Sequence, residues 1–169
     1  LSLDNNDILI RIRYALNLKD AKMVEVFELG GVNLTMEEVL KLLIKSKDSY
    51  DEDTNDDQIK CNNKMLESFL NGLITYKRGK QEPKPGQTEQ PALLTKGNAN
   101  INNVLLKKLK IALSLTSEEM LEIFQIAGVT VTKGELSGLL RKEGHKNYKE
   151  CGDQFARDFL RGLALKLRS

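Results

Sequence analysis

The sequence predicts an all-α protein: a tandem duplication of a four-helix module, the two copies forming a pseudo-two-fold pair. Three observations carry this. Residues 5–45 realign on 102–142 at a constant offset of 97, with 16 identities in 41 positions. The match resumes at an offset of 90, where Cys61, Phe69, Leu70, Gly72, Leu73 and Arg78 fall on Cys151, Phe159, Leu160, Gly162, Leu163 and Arg168. Apolar residues recur at helical spacing in both copies, whereas Gly31-Val32-Asn33-Leu34 and Gly128-Val129-Thr130-Val131 are too short to be read as strands.

The first helix of copy 1 is expected from about Asn6 to Leu16, with Ile8, Leu9, Ile12, Ala15 and Leu16 on one face. Its second version uses Leu105, Leu106, Leu109, Ala112 and Leu113. Asn5-Asn6 and Asn102-Asn103 precede the two stripes, and Asn is a good N-cap. The second helices begin after Asp20 and Thr116. Thr116-Ser117-Glu118-Glu119 has capping-box spacing, a hydroxyl three residues before a carboxylate. Met23, Val24 and Phe27 face inward, as do Met120, Leu121 and Phe124. Gly30-Gly31 and Ala127-Gly128 end these helices, glycine supplying the left-handed conformation that a helix stop often needs.

The third helices open with Thr35-Met36-Glu37-Glu38 and Thr132-Lys133-Gly134-Glu135. Both keep the Thr-x-x-Glu box while the residues between differ, so the cap is the retained feature. Val39, Leu42 and Leu43 form one stripe and Leu136, Leu139 and Leu140 the other. The fourth helices span about Asn63–Lys77 and Asp153–Leu167, with stripes on Leu66, Phe69, Leu70, Leu73 and on Phe155, Phe159, Leu160, Leu163. Gly72 and Gly162 sit inside them at a cost near 1 kcal/mol relative to Ala. Close approach of another helix backbone, within a copy or between copies, is the simplest account.

These elements divide the chain into a first repeat at 1–79, a Pro-containing linker at 80–98 and a second repeat at 99–169. The linker holds all three prolines, Pro83, Pro85 and Pro91, and reads as extended or flexible. Each repeat alone offers a marginal core, so the working unit is expected to be the pair. The composition, 40% apolar and 30% charged, suits a soluble, highly charged helical protein. No apolar run approaches the ~20 residues that span a bilayer, and Leu1 to Asp7 lacks the features of a signal peptide. A cytoplasmic protein that does not engage membranes is expected.

The repeats differ in charge: residues 1–79 sum to −3 and residues 99–169 to +4. One candidate functional pattern is a second helix, a glycine turn and a third helix, as in a helix-turn-helix. Copy 1 places Met36, Glu37, Glu38 and Lys41 on the third helix, where carboxylates would repel phosphates. Copy 2 places Lys133, Ser137, Arg141 and Lys142 there, followed by His145 and Lys146. Lys133, Arg141, Lys142, His145 and Lys146 are therefore the candidate nucleic-acid-binding residues. Against that reading, the turn is longer than the compact form, and bulky Val26 or Phe27 stands where a small residue usually lets the helices touch. Plain helix packing is the competing account.

Other signals are weaker. The connector Arg141–Lys149 interleaves Tyr148 with basic residues and could grip a phosphate or an acidic partner, but Tyr50 in copy 1 favours a structural tyrosine. Within the insert Ser49–Ile59, Asp51-Glu52-Asp53-Thr54-Asn55 opens like a calcium loop. Its sixth position is Asp56 instead of Gly and its twelfth is Asn62 instead of Glu, which favours a solvated acidic loop. Cys61 and Cys151 occupy equivalent positions and read as buried thiols. His145 could act as a general base only if a partner oriented it, and no Gly-rich phosphate loop, nucleophile elbow or zinc motif occurs. No catalytic residue, metal ligand or cofactor is expected, and nothing supports an enzyme.

The segments Ile12–Leu18, Met23–Val32, Phe69–Ile74 and Gly144–Phe155 resemble the YehS-like family of small bacterial proteins, built from two copies of a domain of unknown function. The resemblance covers nearly the whole chain outside the acidic insert and the linker. It implies a cytoplasmic bacterial protein and carries over no catalytic or binding residue. The expected function is a non-enzymatic module that binds a protein partner. Nucleic-acid binding led by copy 2 is the alternative.

Overall fold

A computed structural model describes residues 3–46, 57–80, 93–97 and 99–169. Among them are eight α-helices and no strand: α1 (Asn5–Leu16), α2 (Asp20–Leu29), α3 (Met36–Leu42), α4 (Asn63–Arg78), α5 (Ile101–Ala112), α6 (Ser117–Ile126), α7 (Lys133–Leu140) and α8 (Asp153–Arg168). The helices α1–α4 repeat as α5–α8, as the duplication predicts. The expected apolar stripes form one continuous core, in which Phe27, Phe69, Phe124 and Phe159 are fully buried. In each copy the second and fourth helices place these rings against each other, with centroids 4.9 Å apart for Phe27–Phe69 and 5.2 Å for Phe124–Phe159.

Local signals set the helix ends. Thr35, Thr116 and Thr132 each form a complete capping box, with Glu38, Glu119 and Glu135 reaching back to the cap backbone. Those bonds hold all three carboxyl groups below their ordinary range. Gly31 and Gly128 take φ of 91° and 84° just beyond α2 and α6. The asparagine pairs do not cap the first helices as expected. The caps are Asp4, whose side chain accepts from the Asp7 N–H, and Asn100, which accepts from the N–H groups of Asn102 and Asn103.

Asn6 and Asn103 instead lie inside the helices and are buried, making the same three bonds in each copy. The Asn6 amide donates to the carbonyls of Leu42 and Ile59, and its oxygen accepts from the Cys61 N–H at 3.1 Å. The Asn103 amide donates to the carbonyls of Leu139 and Lys149, and its oxygen accepts from the Cys151 N–H at 2.8 Å. One side chain thus ties the first helix to the end of the third and the entry to the fourth. Truncating it would strand three backbone groups, at about 1–3 kcal/mol for each left buried and unpaired.

The helix glycines mark close approach within a copy. A Cβ on Gly72 would run into the Val26 carbonyl oxygen of α2, and one on Gly162 into the Ile123 carbonyl oxygen of α6. Gly30 in turn sits against the Ser68 carbonyl of α4.

The first helices do the opposite and pair across the copies: α1 packs chiefly on α8, and α5 on α4. The Leu3 N–H donates to Asp153 at one end of the α1–α8 pair, and Arg168 donates to the Tyr14 carbonyl at the other, so the two helices run in the same sense. Arg78 repeats the second bond on the Ile111 carbonyl of α5 at 3.2 Å. Each arginine places its charge at the negative end of a helix in the other copy.

The end of the linker is not free. Glu67 of α4 is fully buried. It accepts from the N–H groups of Leu94 and Thr95 at 2.7 and 2.9 Å and from the Thr95 hydroxyl at 2.8 Å. These bonds hold a 3-10 turn, Leu94–Gly97, against α4 and α5. Lys108 Nζ stands 4.0 Å away, its pKa lowered by burial. Copy 2 carries Arg157 at the equivalent position, so the clasp belongs to copy 1 alone. The prolines lie outside the described residues.

Candidate functional site

The site builds on the third helix and the connector that follows it. α7 is held from beneath by Leu136 and Leu139, which leaves Lys133 and Ser137 on the solvent side. Lys133 is the first helical residue and Arg141 the C-cap, its N–H reaching back to the Gly138 carbonyl. The connector then folds through two tight turns: the His145 N–H donates to the Lys142 carbonyl and the Tyr148 N–H to the His145 carbonyl. It returns to α7 where the Lys149 N–H also donates to the Gly138 carbonyl, at 2.9 Å. Gly138 gives the connector room there: a Cβ would stand 3.0 Å from the Asn147 carbonyl oxygen and 3.1 Å from Lys149 Cβ.

Three of the five candidate residues converge. Lys133 and Arg141 line one shallow cleft of about 410 Å³ between α6 and α7, with Ser117, Leu136, Ser137 and Leu140. Arg141 Nη1 lies 3.3 Å from His145 Nε2. The Asn147 N–H donates to His145 Nδ1 at 3.1 Å. Arg141 and the His145 ring thus stand side by side. Lys142 and Lys146 are exposed on the connector and do not line the cleft. Lys149 is committed to Glu135 at 3.2 Å and to the Phe155 ring. Tyr148 is partly buried, its phenol pKa raised mainly by that burial.

As a helix-turn-helix, the arrangement is loose. Six residues, 127–132, separate α6 from α7. Val26 and Phe27, with their counterparts Ile123 and Phe124, are fully buried against the fourth helices. In copy 1 the same solvent face is apolar: Met36 and Leu40 are 42% and 46% exposed.

The remaining candidates are inert or lie elsewhere. Cys61 and Cys151 are free, buried thiols whose pKa burial pushes up to about 12. Most of the acidic insert lies outside the described residues, but Asn62, at the twelfth position of the calcium-like pattern, is the N-cap of α4 and accepts from the Met65 N–H. No three His, Cys, Asp or Glu side chains converge to hold a metal among the described residues. No helix among them is long and apolar enough to cross a membrane.

A family model described as a protein of unknown function, DUF1456, matches residues 5–79 and 102–169, one segment in each repeat. The chain is 41% identical over 162 residues to the uncharacterized protein YehS of Escherichia coli (strain K12), covering 96% of this chain and 95% of that protein. No solved structure matches the chain. By these matches, in both repeats and over nearly its whole length, the chain belongs to the DUF1456 family.

Proposed function

We propose that the interlocked pair is a cytoplasmic, non-enzymatic module that binds a protein partner through the exposed face of α3. One observation carries the reading: the repeats share their buried residues but differ on this face, where Met36 and Leu40 of copy 1 stand at the positions of Lys133 and Ser137 in copy 2. Two exposed apolar side chains one helical turn apart form a small anchor of the kind that helix-face recognition uses. The test is affinity capture with the full chain and with a Met36→Lys, Leu40→Ser double variant, which installs residues that the equivalent helix already tolerates. Circular dichroism should be unchanged and a specific partner lost. An identical set of captured proteins overturns the reading.

A second reading, nucleic-acid binding by copy 2, is favoured by the convergence of Lys133, Arg141 and His145, with Lys142 and Lys146 beside them. Fluorescence polarisation with mixed DNA and RNA should then show binding that weakens steeply with salt and weakens further in Lys142→Gln and Lys146→Gln variants. No binding at low salt removes this reading.

A further inference from the structure

We infer that the cleft between α6 and α7 is a subsite for a single phosphate group, gripped by Lys133 and Arg141, with the Ser117 and Ser137 hydroxyls on its wall and His145 at its rim. The inference rests on the residues of the nucleic-acid reading but names a chemistry that stands without a polynucleotide.

The two repeats provide the comparison. The cleft floor is alike in both: Leu136 and Leu140 correspond to Val39 and Leu43. Every polar lining residue differs. Ser117, Lys133, Ser137 and Arg141 stand where copy 1 has Asp20, Met36, Leu40 and Ile44. One carboxylate and three apolar side chains on one fold have become two hydroxyls and two cations on the other. Lys133, Ser137 and Arg141 follow at four-residue spacing along α7 and its cap, and the fold brings Ser117 of α6 to the same opening. A drift toward general basicity would not select the lining of a single cleft, whereas a tetrahedral oxyanion needs several donors around one point.

The rim supplies a second, geometric observation. The Asn147 N–H meets His145 Nδ1, and His145 Nε2 lies 3.3 Å from the Arg141 guanidinium. An oxyanion gripped by that guanidinium through charge-assisted hydrogen bonds would lie against the ring. Two of the acidic side chains nearby are engaged elsewhere: Glu119 and Glu135 fold back onto their caps, and Lys149 also holds Glu135.

The source of the phosphate, a small phosphomonoester or the backbone of a nucleic acid, is separated by experiment. His145 is the single histidine of the chain, so its ring resonances report on the rim alone. Inorganic phosphate at constant pH should shift them saturably, and sodium chloride at matched ionic strength should not. In Arg141→Gln, and in Ser117→Asp, which restores the acidic residue of copy 1, apparent affinity should fall about tenfold or more. Both positions are at the surface, and an amide fingerprint spectrum checks that each variant stays folded. No saturable shift, or equal affinity in folded variants, overturns the subsite. A mixed-sequence single-stranded oligonucleotide provides the other arm. If phosphate binds and the oligonucleotide does not, the subsite stands and the nucleic-acid reading falls. If the oligonucleotide binds by polarisation without moving His145, the subsite falls and the nucleic-acid reading stands.

Discussion

At the scale of single residues, the two copies repeat their least replaceable side chains in the same roles. Asn6 and Asn103 each satisfy three buried backbone groups, and Cys61 and Cys151 present the N–H that each amide oxygen takes. The thiols enter the core neutral, their pKa raised from an ordinary 9.0 to about 12 by burial. The unfolded chain ionises its thiols above pH 9 and the folded chain does not. Their contribution to stability is therefore fully present below pH 9 and is lost as pH rises from 9 toward 12. Urea midpoints measured across this range should fall more steeply for the natural chain than for a Cys61→Ala, Cys151→Ala variant. Parallel slopes would show that the thiols ionise equally in both states.

At the scale of elements, helix contacts are set by backbone proximity as much as by apolar area. Gly72 and Gly162 let the fourth helices lie directly on carbonyls of the second, and no side-chain rotation relieves a Cβ placed there. Gly72→Ala or Gly162→Ala should cost about 3 kcal/mol, at the upper end of overpacking costs, lowering Tm by roughly 6–12 °C for a chain of this size. Gly134→Ala is the control. A Cβ there meets nothing closer than the Thr132 hydroxyl at 4.0 Å. That change should leave Tm unchanged or raise it, since Ala is the better helix former by about 1 kcal/mol. Calorimetry on the three variants decides. Equal effects at Gly72 and Gly134 would remove close approach as the reason for the helix glycine.

At the scale of the whole molecule, the first helices belong to the other copy as much as to their own. Helix α1 finds its main partner in α8 and α5 in α4, and Arg168 and Arg78 close the two pairs at the carbonyls of Tyr14 and Ile111. A single backbone cut within residues 81–92 should therefore leave the fragments bound to each other. Gel filtration should show one species of unchanged size in buffer and two only in denaturant. Fragments that separate without denaturant would show that each repeat buries enough surface to stand alone. Glu67 lies on the copy 1 side of that cut and Leu94 and Thr95 on the copy 2 side, so the clasp would persist as a contact between the fragments.

The sequence by itself determined what depends on neighbours along the chain. Capping boxes at Thr35, Thr116 and Thr132, left-handed stops at Gly31 and Gly128, and 3.6-residue stripes are local physics, and the duplication displayed each twice. The basic residues of the site were also legible, as a cluster without a shape. Only the tertiary structure decided what depends on which surfaces meet. It moved Asn6 and Asn103 from expected caps to buried ties, and it showed Glu67, unremarked in the helix pattern, holding the end of the linker. It drew Lys133 and Arg141 to one cleft, set His145 against Arg141, and left Lys142 and Lys146 outside the lining. It also paired the first helices across the repeats. A stripe of leucines states that a helix must be buried but not against which partner. That choice follows from shape and from hydrogen bonds between residues up to 154 positions apart, which no periodicity records.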